Sequence, residues 1–503
     1  MEFKNPLLRG LYPDPSVCCV DGTYYLVCSS FEYLPGVPIF ASRDLVSWEQ
    51  IGNVLDRPSQ LDLAGVKPSD GVFAPTIRYH EGRFFMITTC ASGGPGGNGS
   101  AGGRPVLRNF FATATDPAGP WTDPVEVPVV GIDPSLYWED GACYVQYAGR
   151  GEIFQAQIDD VTGEILDGPR KLTGGCGGRD AEGPHMWVRD GWHYLLLAEG
   201  GTREGHRATL MRGRSVWGPF EPCPHGPIMS NADLPREPIQ RTGHTDWLVG
   251  PDGRDYLVAL GVREVRHRSL LGRETMLVPA GWTEDGWLLA RDQMLPAAFE
   301  IDAPGNVEPM NWDFTLDMAA GEMPLRVVSP RAYNRDCYAF EGGALRVRGN
   351  GHGLADGDSC CWAVRQPELD VRVRAVVAEA RVETPADEIG LVASITPQNH
   401  LSVFAGVRAG ARALVVRRQV ADVCDEQVFP CPAAAFELVM EGSAGEYRFY
   451  ANGAYLASAL NCHVTVENAG TQNTGVVDGL FASGAAEATI EAFEVLTEAG
   501  KDA

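Results

Sequence analysis

The chain has 503 residues and a formal net charge of −25 at pH 7. That length suits more than one domain with ample buried core, and the acidic excess argues against nucleic acid or an anionic membrane surface as a partner while leaving neutral small molecules compatible. With 59 glycines, 35 prolines and no long stretch of 3.6-residue periodicity, the composition points to a nearly all-β protein.

The start, Met1-Glu2-Phe3-Lys4-Asn5-Pro6, lacks the basic region and apolar stretch of a secretory signal. No apolar run approaches the length of a transmembrane helix. The 13 cysteines are odd in number and show neither CxxC nor Cys/His zinc spacing. These features predict reduced thiols in a cytoplasmic protein.

Five segments repeat one pattern. Pro15, Pro75, Pro134, Pro184 and Asp246 are each followed, six residues on, by Asp21-Gly22, Glu81-Gly82, Asp140-Gly141, Asp190-Gly191 and Asp252-Gly253. An aromatic comes four residues later, at Tyr25, Phe85, Tyr144, Tyr194 and Tyr256. Acidic-Gly between apolar runs predicts a two-residue hairpin turn, because both residues tolerate positive φ. Hairpins at intervals of roughly 50–60 residues predict a radial array of sheets. After three of the hairpins, segments ending at Trp48, Trp121 and Trp217 read as outer strands and turns, with Trp packing between sheets. The prediction is a five-bladed β-propeller over residues 1–300, with the Gly-rich stretch Ser92–Gly103 as a mobile loop between blades.

Turn-rich composition from Glu300 to Asn306 marks a linker, placed at 301–310. Beyond it, alternating segments such as Leu369–Arg374 and Phe436–Met440 predict a second domain over 311–503, a β-sandwich of jelly-roll, concanavalin-like type.

The repeat heads carry the chemistry. Asp14 and Asp133 directly precede proline, which predicts an extended backbone at the start of an inner strand. Inner strands of a propeller converge on its axis, so Asp14, Asp133 and Glu182, from the first, third and fourth repeats, are expected to line one pocket. Three acids in one cavity do not all ionise cheaply, so one keeps its proton and gains a raised pKa. A protonated acid beside an ionised base is what cleavage of a glycosidic bond requires. The plain alternative is that each Asp-Pro-Ser only caps a local turn.

These heads also carry a resemblance. Tyr12-Pro13-Asp14-Pro15-Ser16, the run Ser30–Pro38, Gly131-Ile132-Asp133-Pro134-Ser135, Ala181-Glu182-Gly183-Pro184-His185 and Leu271-Gly272-Arg273-Glu274-Thr275 look like family 43 glycoside hydrolases. The resemblance implies a five-bladed propeller and inversion of the anomeric centre, with Asp14 as general base, Glu182 as general acid and Asp133 tuning and orienting Glu182. It places Arg273 on substrate hydroxyls, where the alternative is a structural ion pair. Phe31 and Phe73 are candidate apolar walls for a pentose ring, or plain core. His244, at the head of the fifth repeat, is a candidate substrate contact and a candidate ligand of a structural Ca2+ on the axis, or a hydrogen-bonded core histidine; no cofactor is required. His206 reads as a rim or structural residue. Relatives extend a lid from the sandwich with Phe before Thr-Gly; here Asn473 stands in that place, and Asp478 departs from the apolar pattern.

The expected function is an exo-acting glycosidase that releases terminal pentose from short oligosaccharides derived from hemicellulose. The first choice is α-L-arabinofuranoside, with β-D-xyloside or dual activity as the alternative. A reading of another class is a non-catalytic carbohydrate-binding propeller. Homo-oligomerisation is an expectation from the resemblance.

Overall fold

The computed structural model describes residues 1–92, 106–302, 307–431 and 434–497, so the expected mobile loop, apart from Ser92, lies outside the described residues, as does part of the expected linker. Nearly all of the regular structure of the described chain is strand. Its N-terminal part holds five antiparallel sheets whose strands follow one another in sequence. The first runs Ser16–Val20, Thr23–Val27, Gly36–Ser42 and Glu49–Leu55. In the second, both Gly71–Val72 and Thr76–His80 pair with Arg83–Ser92, which continues to Val106–Ala114 and Val125–Val127. The third begins with Ile132–Glu139, the fourth with Glu182–Arg189 and the fifth with Ile239–Val249.

Four of the five expected turns form as read. Asp21-Gly22 has φ of 49° and 76°, Glu81-Gly82 45° and 81°, Asp140-Gly141 51° and 76°, and Asp190-Gly191 52° and 73°. The fifth differs. Val249 pairs with Asp255 across a longer loop closed by Gly250 N–H on the Arg254 carbonyl at 2.7 Å, and only Gly253 of the Asp-Gly pair takes positive φ. Asp252 instead accepts from Tyr256 Oη at 2.8 Å.

The first strands close a ring. Ser16–Val20 lies beside Thr76–His80 and Ile239–Val249, Ile132–Glu139 beside Thr76–His80 and Glu182–Arg189, and Glu182–Arg189 also beside Ile239–Val249. A buried polar network ties this ring together. Asp246 accepts from Ser16 Oγ at 2.9 Å, the Val17 amide at 3.1 Å and Arg78 Nη1 at 2.8 Å, while Arg78 Nη2 stands 2.7 Å from His185 Nδ1. Four sheets meet there, so removing one partner would strand a buried charge. Between sheets, Trp48 and Trp121 are buried in clusters drawn from two sheets each, and Trp217 stacks edge-on to Tyr144 at 5.8 Å. Glu2–Lys4 pairs with Ala298–Glu300, and the Asn5 side chain bonds the Leu277 amide and carbonyl, fastening the N-terminal segment to the fifth sheet.

The C-terminal part forms an eight-stranded and a six-stranded antiparallel sheet. Val371, Val373 and Ala375 of the first share one buried cluster with Ile389, Leu391 and Ala393 of the second. The other face of the six-stranded sheet packs Phe404, Val415 and Phe481 against Leu11, Tyr33 and Val328. Each buried Phe there contributes about 1.5–3 kcal/mol, so the two parts are joined by an apolar seam. Just past the expected linker the chain is anchored by Trp312, which is buried and lies 6.0 Å from Tyr12, with Val307 and Met310 partly buried against the same cluster. No helix of the described residues is long and apolar enough to cross a membrane.

Candidate active site

At the repeat heads the backbone departs from the extended form that proline predicts. Asp14 and Asp133 have φ of +56° and +54°, and Gly183 and His244 +56° and +46°. The strands are bulged at these points, between Ile132 and Ser135, Glu182 and His185, and Gly243 and Asp246. A bulge sets two residues against one and re-aims the side chain. Left-handed backbone at a non-glycine residue costs about 1–3 kcal/mol, so tertiary hydrogen bonds override the local preference of the pre-proline residue. At Asp14 these come from Ser29 Oγ at 2.6 Å and Arg273 Nη1 at 2.5 Å. At Asp133 the Gly183 amide donates at 3.1 Å. Asn109 supports the approach to Asp133, donating to the Val129 and Gly131 carbonyls at 3.0 and 3.1 Å.

The three carboxylates do converge. Burial raises the pKa of Asp14, but Arg273, His244 and Ser29 outweigh it and hold the group below the ordinary carboxylate value. Glu182 is pushed well above its ordinary value, first by burial and then by the charges of Asp133 and Asp14, against Arg273. Asp133 is raised, chiefly by burial and then by Asp14, with His244 opposing. One carboxylate is therefore shifted toward its ionised form and another toward its protonated form, the direction that acid–base catalysis uses.

Arg273 is buried and forked. Nη1 holds Asp14 and Nη2 donates to Asn473 Oδ1 at 3.0 Å, while Nε has no partner among the described residues. Its guanidinium lies 5.5 Å from the centre of the Phe31 ring, which meets Phe73 edge-on at 5.7 Å. Phe31 is only 1 % exposed, so Phe73, half-buried, is the ring left to face a ligand. His244 sets Nδ1 3.8 Å from Asp14, and its ring packs so close to Gly183 that a Cβ there would sit 3.1 Å from it. Among the described residues no group of three His, Cys, Asp or Glu side chains could hold a metal ion. The donors around His244 thus do not fit a cation held by protein ligands.

His206 is not at a rim. It is 2 % exposed, with Nδ1 4.0 Å from Glu182 Oε1, neither ring nitrogen has a hydrogen-bond partner among the described residues, and burial drives its pKa down to about 3. Sequence reasoning also missed Ser29, which carries no motif. Asp478 lies in the strand Val477–Ser483, fully buried close to Tyr447, and forms no part of the lid segment. A cavity of about 530 Å³ opens on Glu182, lined by Arg150, Arg179, Arg203 and Gln472 among others. A second, of about 600 Å³ at the edge of the eight-stranded sheet, is lined by none of the three carboxylates.

A family model described as Glycosyl hydrolases family 43 matches residues 3–288. A non-reducing end alpha-L-arabinofuranosidase of Bacteroides ovatus is 34% identical over 97% of this chain and 92% of its own length. A xylosidase/arabinosidase of Butyrivibrio fibrisolvens is 44% identical, over 60% of this chain and 59% of its own. Among solved structures, a GH43B protein of Bacteroides ovatus from a xyloglucan locus superposes with a TM-score of 0.90 at 32% identity, covering 99% of this chain and 100% of that one. A xylan beta-1,4-xylosidase of Bacillus halodurans gives 0.89 at 27%, covering 98% and 99%.

Proposed function

The chain belongs to glycosyl hydrolase family 43 and is a glycosidase, and on that premise we propose that it is an exo-acting, inverting enzyme that releases terminal pentose, α-L-arabinofuranose first. The closed ring of five first strands supports a five-bladed propeller over 1–300, joined by a linker at 301–310 to a β-sandwich over 311–503. The observation that carries the mechanism is the opposite displacement of Asp14 and Glu182, which lie close enough for the charge of Asp14 to help raise Glu182.

Asp14, ionised, takes a proton from water as the water oxygen attacks the anomeric carbon. Glu182 gives its proton to the glycosidic oxygen as the C–O bond breaks, and solvent then resets both groups. Asp133 holds the Gly183 amide beside Glu182 and raises the pKa of the acid. Arg273, between Asp14 and Asn473, is placed to hold sugar hydroxyls. Exo action is supported by Asn473 and Gln472, which bring the C-terminal part to the pocket and leave less room for a long chain. An acid and base set apart in this way also speak against a purely sugar-binding role.

The arabinofuranoside choice rests on the Gly71–His80 segment, and on the relative aligned over nearly the whole chain, an arabinofuranosidase. β-D-Xyloside is the second reading, favoured by the relative of 44% identity, a xylosidase/arabinosidase. Initial rates on 4-nitrophenyl α-L-arabinofuranoside and 4-nitrophenyl β-D-xylopyranoside, side by side, test the choice. A faster arabinofuranoside is expected and a faster xyloside selects the second reading; silence on both from folded protein would overturn the pentosidase reading.

A further inference from the structure

The cavity beyond Glu182 holds three arginines, in a chain whose 66 acidic residues far outnumber its 41 lysines and arginines. We propose that this leaving-group side of the site receives an anionic sugar, a uronic acid whose carboxylate is bound by Arg150, Arg179 and Arg203. The proposal rests on the glycosidase reading and names the sugar to which the released pentose is attached.

The arginines are not spent on each other's neighbours. Arg150 makes no hydrogen bond or ion pair among the described residues, and no carboxylate lies within ion-pair distance of Arg203. Arg203 is steered instead by Gln472, whose amide oxygen, suitably oriented, accepts from Nε and Nη2 at 2.5 and 2.8 Å. Arg179 donates to the Gly200 carbonyl at 2.9 Å and stands 3.9 Å from Asp180. Asp180 and Glu182 are the carboxyl groups of this lining, set against three guanidinium groups, an excess of positive charge.

The placement of Arg150 is costly for the backbone. It shares the two-residue turn Arg150-Gly151, at φ of 57° and 75°, between paired Gly149 and Glu152. Such turns select Asn, Asp or Gly at the first position. A long cationic side chain at that position, lining the same cavity as Glu182, is explained by a ligand that needs it. Planar guanidinium groups match a carboxylate in a two-point contact, and Glu182, the proposed acid, lines the same cavity as the three arginines.

Two measurements test this. The first compares kcat/KM for a pentosyl-uronic acid disaccharide with that for its methyl ester, which keeps the shape and removes the charge. Exposed ion pairs are weak and one bidentate contact stronger, so a preference of about fivefold for the free acid is expected, falling with added salt. In Arg150→Ala and Arg203→Ala the acid-to-ester ratio should fall toward one. The second is calorimetric binding of glucuronic acid, methyl glucuronate and inorganic phosphate to the unmodified protein. Equal binding of acid and ester overturns the proposal, as does phosphate binding as tightly as the uronic acid, which would make the cluster a general anion site. If no pentoside is hydrolysed but acid still outbinds ester, the pentosidase reading fails and the anion site stands.

Discussion

At the level of single residues, the pocket is a contest between desolvation and charge. Burial penalises all three carboxylates, and only Asp14 has enough cationic and hydroxyl neighbours to win against it. With Asp14 as the proposed base and Glu182 as the proposed acid, kcat/KM should fall on the acid side as Asp14 gains its proton and on the alkaline side as Glu182 loses its own. The acid limb is expected below the ordinary carboxylate range and the alkaline limb well above it. Asp133 raises Glu182, so Asp133→Asn should move the alkaline limb to lower pH, read from a pH profile of kcat/KM; an unmoved limb would show that Asp133 does not tune the acid. Asp14→Asn should lower kcat by about 10²–10⁴ while sugar affinity, measured by calorimetry, stays within a few-fold. Glu182→Gln should cost far less on a 4-nitrophenyl glycoside than on an oligosaccharide, because nitrophenolate leaves without a proton.

Secondary structure was legible in the sequence where its causes are local. The Asp-Gly and Glu-Gly turns were readable because two residues decide them, and the one misread, Asp252-Gly253, lies in a longer loop closed by Gly250 and Arg254. The left-handed backbone at Asp14 and Asp133 was not readable, since it is imposed by Ser29, Arg273 and the amide of Gly183, the last two remote in sequence. The meeting of the three acids was readable from the shared register of their repeats, whereas the contact of His206 with Glu182 had no such register to announce it. Asp478 stood out as a break in an apolar pattern, but its surroundings did not. In its strand it is fully buried, and neither carboxylate oxygen has a partner among the described residues. Burial raises its pKa well above the ordinary value. A carboxyl raised on folding binds its proton more tightly in the native state, so stability is greatest below the unfolded pKa and declines as pH rises toward the folded one. Asp478→Asn keeps the shape and cannot ionise. Its melting temperature is therefore expected to gain on the unmodified protein as pH rises from 4 to 8, by the equivalent of about 1–3 kcal/mol; parallel curves would place the carboxyl in contact with water or a cation.

Across the whole molecule, the active site is completed from both ends of the chain. Arg273 is gripped by Asp14 on one side and by Asn473 on the other, and Asn473 Nδ2 also reaches the Ser69 carbonyl at 3.4 Å beside the hydroxyl contact of Thr471 with Ser69. The apolar seam of Leu11, Tyr33, Phe404 and Phe481 holds the two parts in register, so the docking of the six-stranded sheet sets the position of the guanidinium that keeps Asp14 ionised. Asn473→Ala removes one of two acceptors from a buried cation. A hydrogen bond to a charged group is worth about 1.5–3 kcal/mol, so KM is expected to rise about tenfold as Arg273 loses its hold on the sugar. Because Arg273 lowers the pKa of Asp14, a loosened guanidinium should also let that pKa climb, and the acid limb of kcat/KM should move to higher pH. A calorimetric melting temperature within a few degrees of the unmodified protein separates this from unfolding. An unchanged KM together with an unmoved acid limb would mean that the N-terminal sheets alone position Arg273, and that the C-terminal sheets serve only to narrow the pocket.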